Sequence, residues 1–230
     1  MKDDLLAYER KLYDEGVKLI AGVDEVGRGP LFGPVVTAAV ILPQNYLLEG
    51  LTDSKKLTPR KRDIFYDIIM RDAISVAIGI ESAEVIDEVN IYQATKLAMI
   101  EAIEKLGVKP EHVLIDAMKL DDLKIPSTSI IKGDAKSESI AAASVIAKVT
   151  RDRMMEEVAL THPEYGFERH KGYPTKEHIE AVIKYGVFDG YRKTFEPIKS
   201  IIHGSVNYVS SKERKRKKQK EQSKQLSIDV

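Results

Sequence analysis

A chain of 230 residues is long enough to form one domain with a substantial hydrophobic core. It contains no cysteine, which excludes thiolate zinc sites, iron–sulfur clusters and a cysteine nucleophile and is typical of a reducing compartment. Residues 1–13 lack the apolar stretch of a signal peptide, and the longest apolar segment, 31–42, is too short to span a bilayer. We therefore expect a cytoplasmic protein that does not bind membranes.

The charges balance over the whole chain, with 36 basic and 36 acidic residues, but they are unevenly distributed. Residues 210–230 hold eight lysines and arginines and three acids, so this segment carries +5 and the preceding part −5. The composition predicts a single domain over residues 1–209 and a basic, disordered tail over 210–230. Such a tail is either merely solvated or attracted to a polyanion.

The chain begins with a helix and two strands. Apolar residues at helical spacing predict the helix over 4–14. Two β-branched, mostly apolar runs predict strands over 17–23 and 35–42, and the Gly/Pro-rich segment 27–34 suits a turn that connects them as neighbours.

Helices and strands alternate in the middle of the chain. A Thr-Pro pair predicts the start of a helix over 58–71, and a third strand follows over 74–80. The periodicity of 82–106 predicts two helices that part near Asn90. A short apolar strand over 112–115 comes next.

The last predicted strand covers 129–132, and a long Ala-rich helix over 137–160 follows it. A polar loop over 161–174 leads to a helix over 175–185, and short helical segments complete the ordered part. This order predicts an α/β fold with a mixed sheet covered by helices.

Four acids stand at or next to predicted strand ends: Asp24, Glu25, Asp116 and Asp134. Side chains from distant positions converge at the carboxyl ends of parallel strands. Because neighbouring residues of a strand point to opposite faces, Asp24 and Glu25 share a site only if the strand turns at Glu25, which Gly27 would allow. Clustered carboxylates repel unless a cation lies between them, and oxygen ligands favour Mg²⁺ or Mn²⁺ over zinc. Alternatively, each acid simply faces solvent.

Two other sequence patterns resemble functional motifs but do not fit them. The glycines of 27–33 depart from a dinucleotide-binding fingerprint, since Phe32 stands where the third glycine is required and a strand follows. They predict instead a tight turn whose backbone amides can approach a phosphate or a sugar. His162, His170 and His178 are separated by prolines and glycines, and we interpret them as surface or core residues rather than metal ligands.

Six segments, in this order, resemble the ribonuclease HII family. They are GVDEVGRGPLFGPV at 22–35, DSKKL at 53–57, Asp116 after its strand, KGDAKS at 132–137, IAAASVIAKVTRD at 140–152 and HKGYPT at 170–175. The resemblance covers residues 21–195. It implies a ribonuclease H-like fold, a mixed five-stranded sheet flanked by helices with a small C-terminal helical part, and it makes residues 1–209 a type 2 ribonuclease H catalytic domain.

The resemblance also implies an activity. The family hydrolyses the RNA strand of RNA–DNA hybrids and incises duplex DNA on the 5′ side of single ribonucleotides, leaving 5′-phosphate and 3′-hydroxyl ends. Asp24, Glu25, Asp116 and Asp134 match its four metal-binding, catalytic carboxylates. Two Mg²⁺ or Mn²⁺ ions are expected in the active site with substrate, which suits two-metal catalysis.

The substrate-binding residues that the resemblance implies are Gly27, Arg28, Gly29, Ser54, Lys55 and Tyr173. In the family the glycine-arginine-glycine turn contacts the 2′-hydroxyl and neighbouring phosphates, and the 2′-hydroxyl is the group that distinguishes RNA from DNA. The tyrosine stacks on the sugar of the next nucleotide and favours a deoxyribose there. The serine and lysine touch the nucleic-acid backbone.

Two alternative functions compete with this one: ribonuclease HIII and a catalytically silent binding module. Ribonuclease HIII carries a separate N-terminal substrate-binding domain, for which the 23 residues before Asp24 are too few. A catalytically silent nucleic-acid-binding module of the same fold would have no reason to keep four mutually repelling acids.

Residues 225–229 are similar to the peptide that docks on the bacterial sliding clamp, although Asp229 replaces its aromatic residue, and this implies a weak clamp contact. Without a heptad pattern, we expect a monomer.

Overall fold

The computed structural model describes residues 4–204, which form a five-stranded mixed sheet. The strands are β1 (Ile20–Val26), β2 (Val35–Ile41), β3 (Ser75–Glu81), β4 (His112–Asp116) and β5 (Ser127–Ile130). Their order across the sheet is β3-β2-β1-β4-β5, with β1, β2 and β3 antiparallel neighbours and β4 and β5 parallel to β1. This confirms the predicted fold class.

Eight α-helices occur in the described part of the chain. They are α1 (Ala7–Asp14), α2 (Pro59–Asp72), α3 (Ala83–Val89), α4 (Ile91–Glu104), α5 (Glu138–Thr161), α6 (Phe167–His170), α7 (Lys176–Tyr185) and α8 (Ile198–Ile202). Several begin at a side-chain cap of the kind the sequence predicts: Thr58 and Thr175 accept hydrogen bonds from the backbone N–H three residues later. Asn90, at a φ of 71°, separates α3 from α4.

The sheet is buried on both faces. One face packs on α4 through a cluster that includes Val23, Ile115 and Met99, and the other packs on α2 and α5 through a second apolar cluster. The contact with α5 is unusually close, because a Cβ on Gly22 would lie 2.1 Å from the backbone carbon of Ser139. Glycine in β1 therefore lets α5 lie directly against the central strand.

All five strands differ from the predicted bounds by one to three residues at one end or both, and the differences at β1 and β5 move a site residue. β1 continues to Val26, because Glu25 and Val26 stay paired with β2, so Asp24 lies inside the strand rather than after it. β5 ends at Ile130, two residues before the predicted end, and Asp134 lies in a 3₁₀ turn, Gly133–Ala135. The cause is Lys132, whose left-handed φ of 58° turns the chain out of the strand direction.

The predicted loop over 161–174 also contains short helical turns, Pro163–Tyr165 and α6. The basic tail over 210–230 and the clamp-like peptide over 225–229 lie outside the described residues, and both stay predictions. None of the helices in residues 4–204 has the length and apolarity that a membrane span requires.

Candidate active site

Three carboxylates from distant parts of the chain meet at one end of the sheet. Asp24 lies in β1, Asp116 ends the neighbouring parallel strand β4, and Asp134 lies in the 3₁₀ turn before α5. One oxygen from each carboxylate lies within 4.8 Å of the other two. Asp24 and Asp134 are buried, and Asp116 is half-buried. Among residues 4–204, this is the one group of acids and histidines spaced like metal ligands.

Backbone donors orient two of these carboxylates. The Glu25 N–H donates to Asp24 Oδ1 over 2.7 Å, and the Gly133 N–H donates to Asp116 Oδ1 over 2.7 Å. The second bond depends on the left-handed conformation of Lys132, which brings Gly133 back towards β4. The local backbone thus orients Asp24 and Asp116.

Burial and mutual repulsion act on the protonation of the cluster. Burial raises the pKa of Asp24 well above its ordinary value, and the nearby charges of Glu25 and Asp116 raise it further. Burial also raises the pKa of Asp134, with Asp53 and Asp116 adding to the shift. The cluster therefore binds positive charge favourably, because a cation relieves the repulsion among its ionised forms.

Glu25 lies beside this group but not in it. One of its carboxylate oxygens is 3.5 Å from Arg28 Nη1, and the other is buried without a hydrogen-bond partner among the described residues. Burial raises the pKa of Glu25, Arg28 opposes that shift, and Asp116 reinforces it. Glu25 is therefore within electrostatic range of the cluster, and its unpartnered oxygen could accept a cation.

The donor atoms decide which cations fit. Every candidate ligand is a carboxylate oxygen, with no histidine nitrogen among them. Hard oxygen donors suit Mg²⁺ and Mn²⁺, whereas zinc sites in proteins usually include nitrogen or sulfur. The buried, orphaned oxygen of Glu25 is the kind of atom that a bound cation would satisfy. The residues present therefore fit a divalent cation.

The segment that carries Ser54 and Lys55 borders the acids. Asp53 caps its 3₁₀ turn by accepting from the Lys55 N–H over 2.9 Å, and Ser144 of α5 accepts from the Ser54 N–H over 3.2 Å. Arg62 of α2 donates to the Ser54 carbonyl over 3.0 Å. Lys55 is exposed and Ser54 is buried, so only Lys55 presents its side chain at the surface.

Lys55 is electrostatically coupled to the acids. Burial alone would lower its pKa, but Asp24, Asp53, Asp134 and Glu25 outweigh that effect and raise it. The ammonium group therefore stays protonated at neutral pH and faces a strongly negative site.

A buried arginine holds the turn between β1 and β2. Arg192 donates five hydrogen bonds to four carbonyls of this turn, those of Gly27, Arg28, Pro30 and Gly33, over 2.5–3.1 Å. Its side chain has no exposed surface. Because these carbonyls point inwards, the peptide edge at Arg28 and Gly29 is exposed, and neither N–H has an acceptor within residues 4–204.

A second buried arginine, Arg151 of α5, completes this support. It donates to the carbonyls of Phe32, Pro34 and Lys171 over 2.9–3.0 Å. Burial lowers the pKa of Arg151 to about 10 and that of Arg192 to about 9, so both remain charged at neutral pH. Within the described residues, neither forms an ion pair with a carboxylate.

Tyr173 lies next to the same turn. Its side chain is 37% exposed, and a Cβ on Gly29 would lie 3.5 Å from Tyr173 Cε1. Glycine at position 29 therefore leaves an open edge between the turn and the ring. The structure thus brings Gly27, Arg28, Gly29 and Tyr173 together at one edge of the site, and their role in substrate binding stays a prediction.

The three histidines do not form a metal site. His170 and His178 are buried and stack on each other with ring centroids 4.2 Å apart, whereas His162 stacks on Phe188. All four ring nitrogens of the stacked pair have hydrogen-bond partners in the protein. Of the two predicted alternatives, surface or core, the structure shows that His170 and His178 are core residues.

Arg151, Arg192 and Asp53 border the site, and the sequence reasoning missed all three. One signal for Arg151 was available: it lies seven residues after Ser144, on the small-residue face of a helix that packs on the sheet. A cation on such a face needs buried acceptors. Nothing local marks Arg192, because its acceptors lie more than 150 residues earlier in the chain.

Comparison with known protein families gives a consistent match. The family model described as Ribonuclease HII matches residues 21–197. A protein of Bacillus cytotoxicus named Ribonuclease HII is 61% identical over 203 residues, which cover 88% of this chain and 78% of that protein.

Two solved structures agree in fold. The ribonuclease H2 from Pyrococcus horikoshii OT3 has a TM-score of 0.71 at 28% identity, covering 83% of this chain and 100% of that one. The PCNA:RNase HII complex from Archaeoglobus fulgidus contains a chain with a TM-score of 0.65 at 26% identity, covering 77% of this chain and 95% of that one.

Replacing Arg192 by lysine tests the support of the turn. Lysine keeps the charge but cannot reach four carbonyls at once, so buried acceptors lose their donors and the free energy of unfolding should fall by about 2–4 kcal/mol. Chemical denaturation measures this fall. Arg60→Lys is the matched control, because Arg60 is exposed in the first turn of α2 and forms no ion pair, side-chain hydrogen bond or cation–π contact among residues 4–204; that change should stay within about 0.5 kcal/mol. Equal effects of the two substitutions would contradict the assigned role.

Proposed function

The chain belongs to the ribonuclease HII family, and from that membership we propose that this ribonuclease H also incises duplex DNA on the 5′ side of a single embedded ribonucleotide. The family assignment itself gives a metal-dependent endoribonuclease that acts on RNA–DNA hybrids. One observation carries the proposal: Asp24, Asp116 and Asp134 meet at one sheet end that also carries a turn with free amides and an exposed tyrosine.

We propose Asp24, Glu25, Asp116 and Asp134 as the catalytic carboxylates. Their oxygens would hold two divalent cations, Mg²⁺ or Mn²⁺, and Glu25 would complete the set from beside the other three. Such cations, when bound, lower the pKa of an attacking water and stabilise negative charge on the leaving 3′ oxygen. The products would then carry 5′-phosphate and 3′-hydroxyl ends.

Recognition of the ribonucleotide is assigned to the turn between β1 and β2. The free N–H groups of Arg28 and Gly29 can donate to a phosphate oxygen or to the 2′-hydroxyl. The glycines let the nucleic acid approach the backbone closely, and φ at Gly27 is 96°, a conformation that other residues rarely adopt. Arg192 keeps the carbonyls of the turn away from the approaching phosphate.

Two further residues would contact the neighbouring nucleotides. Tyr173 presents an exposed ring beside Gly29, which suits stacking on the sugar that follows the ribonucleotide. Lys55 offers a protonated ammonium group at the edge of the acid cluster, where it can pair with a phosphate. Ser54 would act by positioning Lys55, because its side chain is buried and its backbone is bonded to Ser144 and Arg62.

We also propose that residues 1–209 form one catalytic domain that acts as a cytoplasmic monomer. A single sheet with apolar clusters on both faces supports one domain, and the absence of cysteine fits a reducing compartment. Light scattering on the purified full chain measures the oligomeric state, and a dimer mass would contradict the monomer.

A weak sliding-clamp contact through residues 225–229 is a further proposal. The solved Archaeoglobus fulgidus structure is a PCNA:RNase HII complex, and these residues resemble a clamp-docking peptide. Deleting 221–230 should abolish retention of purified bacterial clamp on the immobilised protein and leave hybrid cleavage unchanged. Undiminished retention would rule the peptide out.

The reaction is tested with a labelled DNA duplex that carries one ribonucleotide, incubated with Mg²⁺, Mn²⁺ or EDTA. We expect a metal-dependent nick on the 5′ side of the ribonucleotide, and no cleavage of all-DNA or all-RNA duplexes. Sequencing-gel mapping of the product measures the position of the cut. Cleavage of an RNA–DNA hybrid without a nick at the single ribonucleotide would reject the finer substrate assignment, and binding without any cleavage would favour a silent binding module.

Asp24→Asn tests the carboxylate cluster. The amide keeps the shape of the side chain but removes one negative ligand, so cleavage in either metal should fall at least tenfold, with the thermal unfolding temperature retained or raised. A rise is reasonable because the substitution removes repulsion from a buried site. Asp63→Asn serves as the control, since Asp63 is exposed on α2 and its ion pair there is with Arg153. Activity above about a tenth of the parent would count against the proposed site.

A further inference from the structure

The stacked histidine pair lies directly behind Tyr173. His170 ends α6 and His178 lies in the first turn of α7, so the pair flanks the loop that carries Tyr173. The rings are nearly parallel, with an interplanar angle of 15°. His178 has no exposed surface. The pair therefore belongs to the packed interior and has no route to a ligand.

Hydrogen bonding fixes the tautomer of each histidine. His178 Nδ1 lies 2.9 Å from the Tyr173 carbonyl, which can only accept, so Nδ1 carries the proton. His178 Nε2 must then accept from the Tyr191 hydroxyl, 2.9 Å away. In His170, Nδ1 accepts from the Gly172 N–H, so Nε2 donates to the Tyr165 carbonyl over 2.7 Å. Burial lowers the pKa of His178 to about 4, so its ring is neutral at neutral pH.

The two bonds of His178 link Tyr173 to the turn between β1 and β2. Tyr191 forms an antiparallel bridge with Phe32, and the neighbouring Arg192 holds the carbonyls of that turn. His178 thus connects the segment that reads the 2′-hydroxyl with the backbone of the exposed tyrosine. The Leu31 N–H, which donates to the Gly172 carbonyl over 2.8 Å, ties the same two segments together.

We propose that His178 is a specificity-determining positioning residue that sets the Tyr173 ring against the turn through the bond from Nδ1 to the Tyr173 carbonyl. The inference rests on the proposed function, in which Tyr173 stacks on the sugar after the ribonucleotide. The inference adds to the proposed site a residue, His178, that does not contact the substrate. Loss of its donor should weaken the preference for a deoxyribose at that sugar more than it weakens cleavage in general.

Asparagine and glutamine separate this role from simple packing. The Asn amide nitrogen can occupy the place of Nδ1 and donate to the Tyr173 carbonyl, but it leaves the Tyr191 hydroxyl without its acceptor. The Gln amide reaches the place of Nε2 and can accept from Tyr191, but it removes the donor to Tyr173. Both variants lose the ring stacking on His170, so they disturb the core to a similar extent.

The experiment measures kcat/KM on two substrates, a DNA duplex with one ribonucleotide and an all-RNA strand paired with DNA. The full chain is used, with His178→Asn, His178→Gln and Tyr173→Ala. His162→Gln is the matched control, because His162 lies in the same aromatic cluster and stacks on Phe188 without contacting Tyr173. Thermal unfolding of every variant records the structural effect separately.

We expect His178→Gln to lower the ratio of single-ribonucleotide to hybrid cleavage at least fivefold, towards the value of Tyr173→Ala. His178→Asn and the His162 control should keep the ratio within about twofold of the parent. If Gln and Asn shift the ratio equally, or if both leave it unchanged while Tyr173→Ala lowers it, His178 has a structural role only and the inference is overturned. If Tyr173→Ala itself leaves the ratio unchanged, the proposed role of Tyr173 fails, and the inference fails with it.

Discussion

The turn beside the acid cluster depends on hydrogen bonds from two buried guanidinium groups to backbone carbonyls. The turn between β1 and β2 is irregular, so its carbonyls have no partners in a helix or a sheet, and a buried carbonyl without a donor is strongly unfavourable. Arg151 and Arg192 satisfy these carbonyls from within the core. Because neither forms an ion pair among the described residues, their positive charge lies beneath amides that point outwards, which favours a phosphate on the outer side.

The acid cluster concentrates negative charge, in contrast to the two buried arginines, and the repulsion among its carboxylates destabilises the folded protein. Asp24 and Asp134 are buried close to Asp116, and burial and repulsion together disfavour their ionised forms. Such an arrangement persists because the parallel pairing of β1 with β4 and the turn at Lys132 fix the backbone independently. A cation bound among the three carboxylates would relieve this repulsion.

Local signals made much of the fold predictable. The caps Thr58 and Thr175 and the break at Asn90 act within one helical turn, and the structure confirms them. The meeting of Asp24, Asp116 and Asp134 at one end of the sheet was predicted, although only Asp116 ends its strand. The alternation of side chains correctly raised the question of how Glu25 could join Asp24. The left-handed conformation of Lys132 has no comparable signal, since it depends on tertiary contacts, so the end of β5 was predicted two residues late.

Long-range support could not be predicted in this way. Arg192 and the Gly27 carbonyl are separated by 165 residues, and Arg151 and the Phe32 carbonyl by 119. No period or motif in one sequence pairs a cation with neutral carbonyls at such distances. The same limit applies to His178, whose stacking on His170 was not foreseen, since the sequence marked both only as surface or core residues rather than metal ligands.

Helix α5 holds separate segments of the site through hydrogen bonds from its side chains. Ser144 holds the Lys55 segment, and Arg151, seven residues later, holds both the turn and the Lys171 carbonyl next to Tyr173. Ser144 and Arg151 are about 10 Å apart along one continuous helix. This helix packs on β1 without an intervening side chain at Gly22. The parts proposed to contact successive nucleotides are therefore all attached to one helix. Under the proposed function, a nucleic acid that fits these parts imperfectly has to bend or untwist, and the sequence-dependent stiffness of the duplex then affects which sites are cleaved.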